Sequence, residues 1–152
     1  MNEIGEVWHA IDSEQSITEL MKLFGGFHDG CVREIHVQSG TYVDENRALH
    51  PAWHIDVTFF VQRQWPNPSA IEMKFENVAR MNIAPEKENY DPWIFGASLH
   101  MFDGLIFWSE IEEFNPMDPC IGRIWISAKK AYWRDVSGWM GNKIRYRQTS
   151  VS

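Results

Sequence analysis

The chain predicts a mainly β, α+β fold: a strongly twisted antiparallel sheet of half-barrel form, with one N-terminal helix packed on it. Three observations carry this. One helical period occurs near the start, over residues 17–24. After Cys31, apolar and polar residues alternate with a period of two in six or seven consecutive stretches. Between two of them stands Asp103-Gly104, a hairpin signal, because a type I′ turn needs positive φ at both central positions. Several strands, some of them long, favour a sheet that twists and curls. A closed barrel or a sandwich is the alternative architecture.

Taken in order, Ser16-Ile17-Thr18-Glu19 has the S-x-x-E form of a capping box. Ile17, Leu20, Met21, Leu23 and Phe24 then share one apolar helical face, and Gly25-Gly26 stops the helix. Two to three turns are marginal alone, so that face must pack on something. The first strand starts at Cys31. Cys31, Arg33, Ile35 and Val37 face one way, and Val32, Glu34, His36 and Gln38 the other. Ser39-Gly40 reads as a bulge or turn before Thr41-Tyr42-Val43. Trp53 to Gln62 is the clearest strand, with Trp53, Ile55, Val57, Phe59 and Val61 toward the core and the opposite side mostly wet. After the Pro66-Asn67-Pro68-Ser69 break, Ile71, Met73 and Phe75 mark a third strand, and Arg80 to Ile83 a shorter one. Ile94 to Phe102, with Phe95, Ala97, Leu99 and Met101 on one face, and Leu105 to Trp108 flank the hairpin. A final long strand runs from about Arg123 to Arg134.

At 152 residues the chain reads as one domain over 1–152, with a compact core at about 16–134 and a tail at 137–152. Its 44% hydrophobic and 23% charged residues are those of an ordinary globular protein. Eight Trp and nine Phe raise the expectation of a binding surface, although large rings also fill small β cores. The net charge of −7 is uneven. The tail holds Lys143, Arg145 and Arg147 and no acid, leaving −10 on the first 136 residues. That balance disfavours nucleic acid and suits a basic partner. Lys143 to Arg147 alternates basic and β-prone residues, which reads as an edge strand or a charged tail. Cys31 and Cys120 form no CxxC, the N-terminus has no signal-peptide pattern, and no apolar run is long enough to span a membrane. A cytoplasmic protein with free thiols is expected.

The densest stretch in functional side chains is Phe27 to Ile35. His28, Asp29 and Cys31 could hold a metal with His54 or His36, or Cys31 and His28 could act as nucleophile and base. The ordinary reading stands beside these: Asp29 shapes the turn, His28 bonds backbone, and Cys31 packs as a small apolar residue. His50-x-x-x-His54 has the spacing of a helical zinc pair, but Pro51 breaks the context. His54 and Asp56 instead share one strand face, where they form a polar patch if Glu34 and His36 lie alongside.

Two loops combine acids with apolar anchors. Glu110, Glu112, Glu113, Phe114 and Asp118 lie in one, and Tyr90 and Trp93 follow Glu86 and Glu88 in the other. Acids steer a basic partner while a buried ring gives affinity. No phosphate-binding glycine motif, G-x-S-x-G or H-E-x-x-H occurs, and no cofactor is implied.

Phe27-His28-Asp29, Ser39-Gly40-x-Tyr42-Val43, Gln62-Arg63-Gln64, Ile71-Glu72-Met73-x-Phe75-Glu76 and Ile106-Phe107-Trp108 resemble a family of small bacterial cytosolic proteins with no assigned activity. The resemblance covers roughly residues 27–134. It implies a compact bacterial domain and transfers no catalytic residue. A looser analogy, in size and charge, is to immunity proteins of polymorphic toxin systems. The expectation is a noncatalytic protein that binds a basic protein partner, such as an immunity-type inhibitor. The alternatives are a small-ligand or metal-binding domain, enzymatic in one form, built on His28, Asp29, Cys31, His54 and Asp56, and a homo-oligomer that buries surface Trp.

Overall fold

The computed structural model describes residues 7–115, 117–118 and 122–145. Cys120, Tyr146 and Arg147 lie outside the described residues. The fold is mainly β with one N-terminal helix, and its seven-stranded antiparallel sheet is open. Strand β1 (His9–Ala10) precedes helix α1 (Glu14–Leu23). A 3-10 turn at Gly25–Phe27 then leads into β2 (Gly30–Ser39). A small separate ladder follows, β3 (Tyr42–Val43) with β4 (Leu49–His50). The main sheet continues with β5 (Ile55–Arg63), β6 (Ala70–Asn82), β7 (Ser98–Phe102), β8 (Leu105–Ser109) and β9 (Trp125–Asp135). Its order is β2-β5-β6-β9-β8-β7, with β1 beside β9.

The helix begins earlier than its sequence signal implies. Ser13 is the N-cap: its side chain accepts from the Ser16 N–H, and the Ser16 hydroxyl accepts from the Ser13 N–H. The box is therefore Ser13 with Ser16, not Ser16 with Glu19. Ile17, Leu20 and Phe24 are buried as expected, whereas Leu23 is exposed. Gly25 and Gly26, at φ +58° and +64°, end the helix in the left-handed region that glycine adopts without strain.

A bulge between Val32 and Glu34 overturns the alternation expected along β2. An extra residue in one strand reverses which face the following side chains take. Val32 and Ile35 thus share the core face, and Cys31, Glu34, His36 and Gln38 lie opposite Gln62, Phe60, Thr58 and Asp56 on the other. A second bulge between Val78 and Arg80 lets β6 run on as one thirteen-residue strand, absorbing the separate strand expected at Arg80 to Ile83. Trp53 is 93% exposed, ahead of β5 rather than on its core face. The predicted strand from Ile94 begins only at Ser98; Ala97 and Leu99 are buried as expected, whereas Phe95 and Met101 are exposed and Ile94 is buried. Asp103 and Gly104, at φ +54° and +74°, make the expected hairpin turn.

The principal core lies between α1 and one face of the sheet. Trp108 is fully buried there, edge-on to Phe27 and Phe59 at centroid distances of 5.6 and 5.5 Å. The opposite face is wet only at one end, where His36 and Gln38 are exposed; elsewhere residues after β9 return across it. Val136 and Trp139 cover Phe60 and Ala70, and the Arg145 N–H donates to Glu34 at 2.9 Å. Glu72, on this covered face, is buried and accepts from Arg134 Nε at 2.7 Å.

Two features of the topology position the functional surface. The crossover from β6 to β7 and the loop from β8 to β9 spring from the same end of the sheet, where Asn82, Ser109 and Trp125 are register neighbours. The sheet also curls until Gly30 forms an antiparallel bridge with Ile94, at one point and without closing a ladder. Ile94 N–H donates to Gly30 C=O at 2.7 Å, and Asp29 N–H to Ile94 C=O at 2.9 Å.

Candidate functional site

The two acidic loops, far apart in sequence, meet in one groove of about 490 Å³. Its lining includes Glu86, Tyr90, Asp91, Trp93, Phe95, Glu110, Glu112, Glu113 and Arg123. The floor is fixed by charge. Glu110, 8% exposed, accepts from the Arg123 backbone N–H at 2.8 Å and from Arg123 Nη2 at 2.6 Å. Arg123 Nε also lies 3.1 Å from Glu86 Oε2. Glu112 lies directly against the backbone of buried Gly96, space that a β-carbon there would take. Above this floor Tyr90, Trp93 and Phe95 are 65%, 46% and 66% exposed. Five carboxylates against one guanidinium make the groove strongly negative.

The loop residues that the sequence singles out divide into two groups by burial. Glu112, Glu113, Tyr90 and Trp93 lie at the groove surface, while Glu110 is committed to its floor. Phe114 is no surface anchor: it is 4% exposed, packed between Phe107 and Trp125. Asp118 closes a turn with Asn115 and is not part of the groove lining. Phe95 and Arg123 join the groove without a signal in the sequence. Alternation puts Phe95 on a strand's inner face, and Arg123 reads only as the start of a strand.

His28 and Asp29 hold the groove's wall in place. His28 Nδ1–H donates to the Phe95 carbonyl at 2.7 Å, and its Nε2 lies 3.3 Å from Asp29 Oδ2. The Ala97 N–H also donates to Gly26 C=O at 2.8 Å. Phe27 and Asp29 take positive φ, 67° and 58°, so the chain can turn twice in this short space. Cys31 is half-buried and its thiol is pushed above the ordinary value by that burial, with Arg33 opposing. An activated nucleophile needs the opposite shift.

A tetrahedral metal site joining this stretch to His54 is ruled out by register. Cys31 pairs with Gln62, whereas Asp56 lies six residues earlier on β5, about 20 Å along the strand. Among the described residues no three His, Cys, Asp or Glu side chains cluster as a metal would require. His54 and Asp56 do gather with His36, Gln38, Thr58 and Lys74 in a polar hollow of about 480 Å³, the patch expected on that face. Asp56 Oδ1 accepts there from the Asn77 N–H at 3.0 Å.

A further cavity, of about 730 Å³, shares Trp93 with the groove. Asp29, Cys31, Gln62, Arg63, Gln64, Trp65 and Met140 also line it. No helix among the described residues is long and apolar enough to cross a membrane. Compared with known protein families, with curated proteins and with solved structures, the chain finds no match.

Proposed function

We propose that this is a noncatalytic binding protein whose acidic groove receives a basic segment of a protein partner, in the manner of an immunity-type inhibitor that masks a basic surface. One observation carries the reading: Tyr90, Trp93 and Phe95 stand exposed beside Asp91, Glu112 and Glu113, over a floor locked by Glu110 and Arg123. Surface carboxylates raise the encounter rate with a cation, and the rings supply apolar area to bury once it has arrived. A floor already fixed by its own ion pairs loses little freedom on binding. Binding is then steered at long range by charge and held at short range by aromatic contact. The half-buried, free thiol of Cys31 is consistent with action in the cytoplasm.

The test is capture of a partner from source lysate by wild-type protein and by the double variant Glu112→Lys/Glu113→Lys. Both substituted side chains are exposed, so the fold should survive the change. A basic protein is expected on the wild type. It should be weakened as salt rises from about 50 to about 500 mM, because the screening length shrinks below the groove's dimensions, and lost from the variant. Equal capture by both proteins would remove the groove from the account.

A further inference from the structure

Among the described residues, Arg63 is the buried cation that the groove does not use. It is 8% exposed, at the end of β5 and on the wall of the cavity of about 730 Å³. Its Nε donates to Pro68 C=O at 2.8 Å, and its Nη2 to Leu23 and Pro66 C=O at 3.2 and 3.3 Å. The guanidinium carbon lies 4.6 Å from the centre of the Phe24 ring. Every one of these partners is a neutral dipole or a ring. Among the described residues no carboxylate forms an ion pair with Arg63. Nη1 takes none of the carbonyl bonds, and Gly25 leaves room for it, since a β-carbon there would stand 2.8 Å away. Buried charges are ordinarily paired with an opposite charge. Here three carbonyls hold the guanidinium rigid and leave its charge to be met by something else.

The rest of the cavity says what kind of group that is. Trp65 and Trp93, about half exposed, line it together with Met140 and Pro92, so much of the wall is apolar and flat. A volume of about 730 Å³ is that of a small-molecule pocket. A single guanidinium, with Asp29 at the cavity wall, suits one negative charge rather than a phosphate dianion.

We propose that this cavity binds a small aromatic carboxylate, its anionic group facing Arg63 and its ring lying against Trp65 and Trp93. The site is independent of the partner groove apart from the shared wall at Trp93.

Indole-3-acetate and its uncharged counterpart indole-3-acetamide are the probes, titrated into isotope-labelled full-length protein and followed by NMR. Indole-3-acetate should shift the backbone amides of Cys31, Gln62 to Trp65 and Trp93, together with the indole N–H signals of Trp65 and Trp93. A dissociation constant of about 1 mM suits a ligand of this size. The amide should bind at least about tenfold more weakly, the scale of one charge-assisted hydrogen bond. Arg63→Met should abolish the preference for the acid. Because Arg63 also anchors three carbonyls, Trp65→Ala at a half-exposed ring is the companion variant, expected to weaken indole-3-acetate by about tenfold with the fold intact. Glu112→Lys/Glu113→Lys should leave indole-3-acetate binding unchanged, which separates this site from the groove. Absence of shifts at these residues up to about 10 mM, equal binding of acid and amide, or unchanged binding by Trp65→Ala would overturn the proposal.

Discussion

Glu110 grips Arg123 twice, one carboxylate oxygen on the backbone N–H at 2.8 Å and the other on Nη2 at 2.6 Å. This pair joins the end of β8 to the start of β9 and holds Glu86 of the opposite loop through the same guanidinium. Glu110→Ala is therefore expected to destabilise the fold by about 2–4 kcal/mol, because a part-buried guanidinium and a backbone donor lose their acceptor. The exposed double variant Glu112→Lys/Glu113→Lys should stay within about 0.5 kcal/mol of wild type. Urea denaturation of the two variants checks the contrast. Equal stabilities would mean that the floor is not locked.

Arg134 carries a comparable load on the covered face. It donates to buried Glu72 at 2.7 Å and lies over the rings of Trp8 and Trp139, at 4.5 and 5.6 Å from guanidinium carbon to centroid. Arg134→Ala strands a buried carboxylate and should cost about 3–5 kcal/mol. Glu72→Gln keeps the packing and should cost less. A denaturation midpoint for Arg134→Ala close to that of wild type would contradict this.

Cys31 should react slowly with iodoacetamide. Burial holds its thiol above the ordinary value of 9.0, with Arg33 pulling the other way. In a Cys120→Ser background the rate should stay low at neutral pH and rise only at a midpoint above 9.0. Arg33→Ala removes the opposing charge and should move that midpoint higher still. A midpoint below neutrality would restore Cys31 as a nucleophile.

The β3–β4 hairpin should open in acid. Its Asp44 carboxylate is held below the ordinary value of 3.8, first by His50 and then by the backbone N–H groups of Ala48 and Asn46. A depressed carboxylate contributes stability that is complete above its unfolded pKa and lost as pH falls through the folded one. Hydrogen bonding at Asn46 and Ala48, read from NMR amide shifts, should persist at pH 5 and fail with a midpoint below 3.8. A midpoint at or above that value would show that His50 does not hold Asp44 in its ionised form.

How far the sequence can be read follows from which residues have local signatures. Asp103-Gly104 is legible because positive φ at two successive positions restricts the residue choice. The sheet, the helix and the burial of Ile71, Met73 and Phe75 follow from period alone. The bulge after Val32 carries no residue signature, and strict alternation without it puts Cys31 and Val37 on one face. The Ser13 cap escapes the familiar pattern because Ser16, not Glu, closes the box. The acids and rings of the groove are visible as two loops. Their meeting depends on β9 inserting between β6 and β8, which no local pattern encodes. Phe114 shows the converse: a ring in an acidic loop looks like an anchor until the satellite core with Phe107 and Trp125 is seen. Arg63 is invisible in the sequence as a buried cation, because one Arg at a strand end reads as solvated.

Photo-crosslinking tests the central claim most directly. A photoreactive phenylalanine analogue replaces Phe95 in the groove, or Tyr42 on the outlying β3–β4 hairpin, in protein mixed with source lysate at low salt. The groove account predicts a covalent adduct with a basic protein from position 95, absent from position 42 and lost when Glu112 and Glu113 are changed to Lys. An adduct from position 42 and none from position 95 would contradict it.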